Sequence, residues 1–173
     1  MRQKFTNRGI KVFVILILGF FVTSSVSYSP VVHMYSPVYM KRADMENAIG
    51  LKTDVPVKNP GKIYLHNNYI LLNELYKGIH IIDNSDPSNP VKVAFIHIDG
   101  CVDMAVKDNI IYADNAVDLI AIKVSNNFQN IEVTERIKNI FPEFEDPHRE
   151  WSNHEINVYR PEDGVLVAWK KNF

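Results

Sequence analysis

The sequence predicts an all-β protein: two successive four-stranded antiparallel units, one further strand and a short N-terminal helix. Two observations carry this. Asn67 to Asn73 (NNYILLN) matches Asp108 to Asp114 (DNIIYAD) at an offset of 41, and Gly78 to Ile82 (GIHII) matches Asp118 to Ile122 (DLIAI) at an offset of 40. Between these matches lie short apolar segments bounded by Asn, Asp, Ser and Pro, the punctuation of strands and turns.

Residues 1–27 fall outside the fold. Met1 to Lys11 carries Arg2, Lys4, Arg8 and Lys11 with no acidic residue, and Val12 to Val22 (VFVILILGFFV) is an unbroken apolar run of eleven. The small stretch Thr23 to Ser27 follows. A basic start, a short apolar core and a small-residue exit form the pattern of a secretory signal peptide, with cleavage expected after Ser27, or alternatively after Ser25. Eleven apolar residues fall short of the ~20 that span a bilayer as a helix, so no stable membrane span is expected. No cysteine follows the run to accept a lipid anchor. The expected destinations are the periplasm, the outer-membrane surface or the medium.

Residues 28–60 form an N-terminal segment with the one expected helix, Lys41 to Ile49, in which Met45 and Ile49 share a face and Gly50 is the stop. From 61 to 173 the chain reads as strands. The first unit, 61–100, holds Ile63–His66, Tyr69–Asn73, Ile79–Asp83 and Val91–Ile98. Its third and fourth strands are joined by Asp83-Asn84-Ser85-Asp86-Pro87-Ser88-Asn89-Pro90, which is turn chemistry throughout. The second unit, 101–141, holds Met104–Lys107, Ile110–Asp114, Leu119–Val124 and Ile131–Ile137, the last alternating as an exposed outer strand should. An irregular stretch with Pro142, Pro147 and Pro161 leads to the final strand, Val165–Trp169. Four strands in ~40–45 residues is the size of a β-propeller blade. The expected architecture is therefore an incomplete propeller of two blades and one strand.

Composition sets the class. With 46% hydrophobic and 23% charged residues, the chain is neither disordered nor collagen-like. Its single cysteine excludes an intrachain disulfide and any Cys₄ or Cys₂His₂ zinc site. Lys+Arg 19 against Asp+Glu 20 is no nucleic-acid footprint, and loss of the leader leaves 15 basic against 20 acidic residues.

The residues resemble the LVIVD-repeat family of bacterial exported proteins, Bacteroidetes type. The matching pieces are Pro37-Val38-Tyr39-Met40, Asn59-Pro60-Gly61-Lys62-Ile63-Tyr64, the run from Lys77 to Pro90, Asp103 to Lys107, Tyr112-Ala113-Asp114 and Asp118-Leu119. The resemblance implies a β-propeller at the cell surface or in the periplasm, a non-enzymatic scaffold for protein or glycan contacts. Three departures stand out. The lipobox cysteine is missing, Lys123 stands where the pattern has an Asp, and members are much longer. Two blades and a strand leave blade faces and strand edges open, with Ile79–Ile82 and Leu119–Ile122 only partly covered. That implies a truncated remnant, self-association, or a companion chain that completes the ring; edges without visible charges favour truncation.

Candidate chemistry is sparse. Glu145 to Glu155 (EDPHREWSNHE) gathers His148 and His154 with Glu145, Asp146, Glu150 and Glu155 around Trp151, the alternative being a metal-dependent or catalytic module. It lacks the His-Glu-x-x-His pattern, and nearby prolines oppose a helix that would align the histidines. Asp83 to Asp86 opens like a calcium loop but has Pro87 and Ser88 where an EF-hand needs an oxygen ligand and Gly. No nucleophile elbow or phosphate-binding glycine loop occurs. His66, His80 and His97 lie among apolar strand residues and read as packed histidines, and Cys101 as a small buried hydrophobe. No catalytic, cofactor or metal residue is assigned. For the leader, mass spectrometry of the exported protein should find a new N-terminus at or near Tyr28, and an intact Met1 on soluble cytoplasmic protein would refute the signal.

Overall fold

The computed structural model describes residues 34–125, 128–147 and 158–172. The leader and His148 to Glu155 lie outside them. The described residues belong to one compact unit, His33–Phe173. Their elements are β1 (Tyr35–Lys41), α1 (Arg42–Asn47), β2 (Gly50–Lys52), β3 (Pro60–His66), β4 (Tyr69–Glu74), β5 (Gly78–Asp83), β6 (Val91–His97), β7 (Met104–Lys107), β8 (Ile110–Asn115), β9 (Asp118–Val124), β10 (Ile131–Ile137) and β11 (Gly164–Lys171). They make three antiparallel sheets, ordered β2-β6-β5-β4-β3, β10-β9-β8-β7 and β1-β11.

The repeat is visible in the register. Two-residue turns, Asn67-Asn68 and Asp108-Asn109, join His66 to Tyr69 and Lys107 to Ile110. Asn67, Asp108 and Asn109 have φ of 51°, 52° and 59°, a region that Asn and Asp enter more readily than other non-glycine residues. The change of offset from 41 to 40 also has a place. Glu74 pairs with Gly78 across three residues, whereas Asn115 pairs with Asp118 across two. Ile79 and Leu119 nonetheless stay equivalent, opposite Asn73 and Asp114. The wider turn needs its glycine: Gly78 has φ +139°, and a Cβ there would meet the Ile96 carbonyl oxygen at 2.0 Å.

Residues paired across strands share a face. One face of the five-stranded sheet carries the rows Tyr64–Leu71–Ile81–Ala94 and Asn73–Ile79–Ile96–Leu51. It packs on the face of the four-stranded sheet that carries Met104–Ala113–Ile120 and Val106–Ile111–Ile122. Ile98 and Cys101, from the connection between the sheets, complete this core. Ile79, Ile81, Ile96, Ile120 and Ile122 are 0% exposed. Each such side chain contributes about 1.5–3 kcal/mol. The expectation that Ile79–Ile82 and Leu119–Ile122 would be only partly covered is overturned for Ile79, Ile81, Ile120 and Ile122, which the two sheets seal against each other, and holds for Ile82 and Leu119. Along the contact of β3 with β7, Lys62 pairs with Asp103, Tyr64 Oη donates to the Val106 carbonyl at 3.2 Å, and His66 lies 3.0 Å from Asn109.

The remaining differences lie at the ends. The helix is shorter than Lys41 to Ile49, and Gly50 opens β2 rather than stopping it. Met45 and Ile49 separate, Met45 into a second core with Ala116, Val117, Val165 and Val167, and Ile49 against the first. Strand β2 pairs with β6, so the first sheet has five strands and not four. The final strand is not alone: β1 pairs with it from Tyr35–Lys171 to Lys41–Gly164. Strands β1 and β2, both from 28–60, are thus built into the sheets of 61–173. Strand β10 is exposed over most of its length, as its alternation implies. No helix among the described residues is long and apolar enough to cross a membrane.

Ile81→Ala should cost about 2–5 kcal/mol, since a buried Ile loses both transfer energy and packing. The same change at Ile137, 54% exposed, should cost about 0.5 kcal/mol or less. Urea midpoints of the two variants test this difference.

Candidate functional site

Where the turns of the two repeats meet, the sheets leave a cleft of about 240 Å³. Its position follows from the repeat, because an offset of 41 sets His66-Asn67 beside Lys107-Asp108-Asn109. His66 and Asn67 come from the β3–β4 turn, Asn109 from the β7–β8 turn, and Ser125 and Phe128 from the segment after β9. The walls are Tyr69, Leu71, Ile81, Val106, Ile111 and Val124. Tyr69 and Phe128 meet edge to face with ring centroids 4.7 Å apart, an arrangement that favours both rings.

The rim is polar. His66 Nε2 stands 3.0 Å from Asn109 Oδ1 and 3.2 Å from Asn67 Nδ2. A protonated Nε2 donates to the first, and an unprotonated one accepts from the second. Two amides and an imidazole can therefore present either donors or acceptors to a guest. With aromatic and aliphatic walls behind them, they suit the hydroxyls and apolar faces of a sugar, or the amides and side chains of a peptide.

Two further polar groups are buried nearby in sequence but serve the fold. Glu74, 1% exposed, accepts from the Lys58 and Asn59 backbone N–H groups at 3.0 and 2.6 Å. Its other neighbour is His80 Nε2 at 3.4 Å. Burial would raise the Glu74 carboxyl, but these donors hold it below its ordinary value. His80, 0% exposed, has no partner at Nδ1. Burial lowers its pKa, opposed by Glu74 and assisted by Lys92. In the second repeat, Asp118 receives Arg136 at 2.7 Å, Arg42 at 2.9 Å and the Asn139 N–H at 2.9 Å. Burial works to raise this carboxyl, and its three donors keep it low.

The residues singled out from sequence are dispersed. His80 is packed as expected, against the Phe95 ring. His97 is only partly covered and lies 3.2 Å from Asp99. His66 differs from expectation: it sits on a cleft rim, where its neighbours are amides and not an apolar core. Cys101 is buried, and burial pushes its thiol well up, as an inert hydrophobe requires. Asp83 and Asp86 accept from Ser85 N and Ser88 N at 2.8 and 3.0 Å, closing Asx-turns as read. Of the Glu145 to Glu155 stretch only Glu145, Asp146 and Pro147 are described; His148, Trp151 and His154 lie outside. Among the described residues, no group of three or more His, Cys, Asp or Glu could hold a metal ion. Sequence reading missed Asn67, Asn109, Tyr69, Ser125 and Phe128 as one site. The offset marked the two equivalent turns, Asn67-Asn68 and Asp108-Asn109, that supply Asn67 and Asn109, and no signal marked Phe128. No protein-family model, curated protein or solved structure matches the chain.

Because the fold keeps His80 neutral, its contribution to stability is complete above the unfolded-state pKa of about 6.5. As pH falls below that, the unfolded chain takes up the proton first and stability drops until the lower folded pKa is reached. Chemical denaturation from pH 7.5 to 5.0 should show this fall, and His80→Gln should flatten it.

Proposed function

We propose that this is an exported, non-enzymatic protein of β-propeller type, related to the LVIVD-repeat family, that acts by binding a protein or a glycan at the cell surface, in the periplasm or outside the cell. One observation carries the reading. Two four-stranded meanders of equal register follow one another, and their first strands, β3 and β7, meet along their length. Successive blades around a propeller axis have this relation. Support for export comes from the basic leader and its apolar run. Support for binding comes from the cleft at the repeat junction, whose amide rim and aromatic walls suit recognition better than bond-breaking.

Screening the purified protein against glycan and peptide arrays tests this. Binding should appear in one class and weaken by roughly tenfold or more in Tyr69→Ala, which removes a wall ring, and to a lesser degree in His66→Ala. Binding unaffected by both would take the cleft out of the proposal. Stoichiometric metal in the purified protein, lost in His148→Ala, would replace this reading with a metal-dependent module in the Glu145 to Glu155 stretch.

A further inference from the structure

Resting on the reading of the two sheets as successive repeats, the geometry points to a second copy of this chain as a partner. The outer face of the five-stranded sheet of one molecule docks on the free face of the four-stranded sheet of the next. The contact between copies would follow, along β3 and β7, the one already made within each copy.

The offset shows which faces are left open. Ile63 and Leu65 correspond to Met104 and Val106, which lie in the contact between sheets. Met104 is 7% exposed there, but Ile63 and Leu65 are 65% and 71% exposed. On the other side, Ile96 corresponds through its pairing with Ile79 to Ile137, the partner of Leu119. Ile96 is 0% exposed and Ile137 54%. Each molecule therefore buries one copy of each half of this interface and leaves Ile63 and Leu65 of one remaining half and Ile137 of the other exposed, whereas His80 and Phe95 on the first and Ala121 on the second are already covered within the molecule. Exposed apolar faces of this kind mark association surfaces.

The open halves differ from the buried ones in compensating ways. On the four-stranded sheet, Ala105 and Ala121 stand in the places of Tyr64 and Ile81. On the five-stranded sheet, Leu65 and Leu72 stand in the places of Val106 and Ala113. Larger side chains thus face smaller ones, as close packing across an interface demands. A groove of about 460 Å³, lined by Ala105, Tyr112, Leu119 and Phe144, offers the room. Charge agrees with shape. Lys62 pairs with Asp103 inside the molecule, and the offset carries position 62 onto position 103. At the junction, Asp103 of one copy would meet Lys62 of the next. Both side chains keep more than half their surface exposed, at 52% and 65%. Because the two faces are different, the contact is head-to-tail and does not close as a two-fold dimer.

Sedimentation equilibrium of the purified protein over a range of concentrations tests this with two variants, Leu65→Glu and Ala105→Glu, both at exposed positions. The wild type should associate beyond a dimer, and each variant alone should associate at least roughly tenfold more weakly. Mixed in equal amounts, the two should form a dimer and stop there, since each supplies the face that the other lacks. A wild type that stays monomeric at every concentration, variants that associate like the wild type, or a mixture that does not combine would each overturn the docking. Failure of the repeat reading is recognised separately. A monomer that still loses stability through Ile81→Ala refutes the docking alone, whereas a null effect of Ile81→Ala removes the sheet contact on which both stand.

Discussion

The structure depends on one contact, the burial of the Ile79–Ile81 face of the first sheet against the Ile120–Ile122 face of the second. Neither sheet could be stable alone, because a single antiparallel sheet leaves one apolar face in water. The contact works because successive strands keep their period of two while the turns keep their length. A one-residue slip in either meander would turn Ile79 and Ile81, or Ile120 and Ile122, outward. Gly78 guards the register of the first sheet, where any side chain would strike the Ile96 carbonyl. Gly100 holds the joint between the sheets in the same manner, with the Ala116 backbone 2.6 Å from where a Cβ would sit.

Around this core the two repeats solve one local problem with different chemistry. The segment ahead of each sheet's first long strand must be tied to the end of its second. In the first repeat the Glu74 carboxylate accepts from the Lys58 and Asn59 amides. In the second, Asn115 donates to the Asp99 carbonyl at 2.6 Å. The positions correspond and the hydrogen-bond polarity is reversed. Buried charge is likewise handled twice. Glu74 is held by backbone amides and faces an uncharged imidazole, whereas Asp118 is met by two guanidinium groups that bring α1 and β10 to the β8–β9 turn. Groups this deeply buried are tolerated only because their oxygens are satisfied.

Much of the all-β architecture was legible because turn residues and strand periodicity are local signals. The nine strands expected from 63 to 169 are all present, with shifts of up to three residues at their ends. What escaped was non-local. Strand β1 contains Pro37 and a serine, has no alternation to mark it, and exists only through its pairing with β11. Strand β2 is three residues long and opens with Gly50, a residue whose local signal is that of a helix stop. The cleft was half legible. The offset aligned Asn68 with Asn109, but periodicity does not report that His66 reaches Asn109 across two sheets, or that Phe128 covers Tyr69.

The pairing of β1 with β11 bears on how the chain comes to be folded. Ser36 Oγ donates to Asn172 across 136 positions of sequence, whereas each meander closes through turns of a few residues. Loop closure over that distance is entropically slow. The two meanders can form as their own strands become available, but Tyr35–Lys41 has no sheet to join until the last strand arrives. During synthesis that segment and Met45 beside it stay unpaired until β11 brings Val165 and Val167. Until then its open strand edge and apolar side chains are the part of the chain most exposed to wrong pairing.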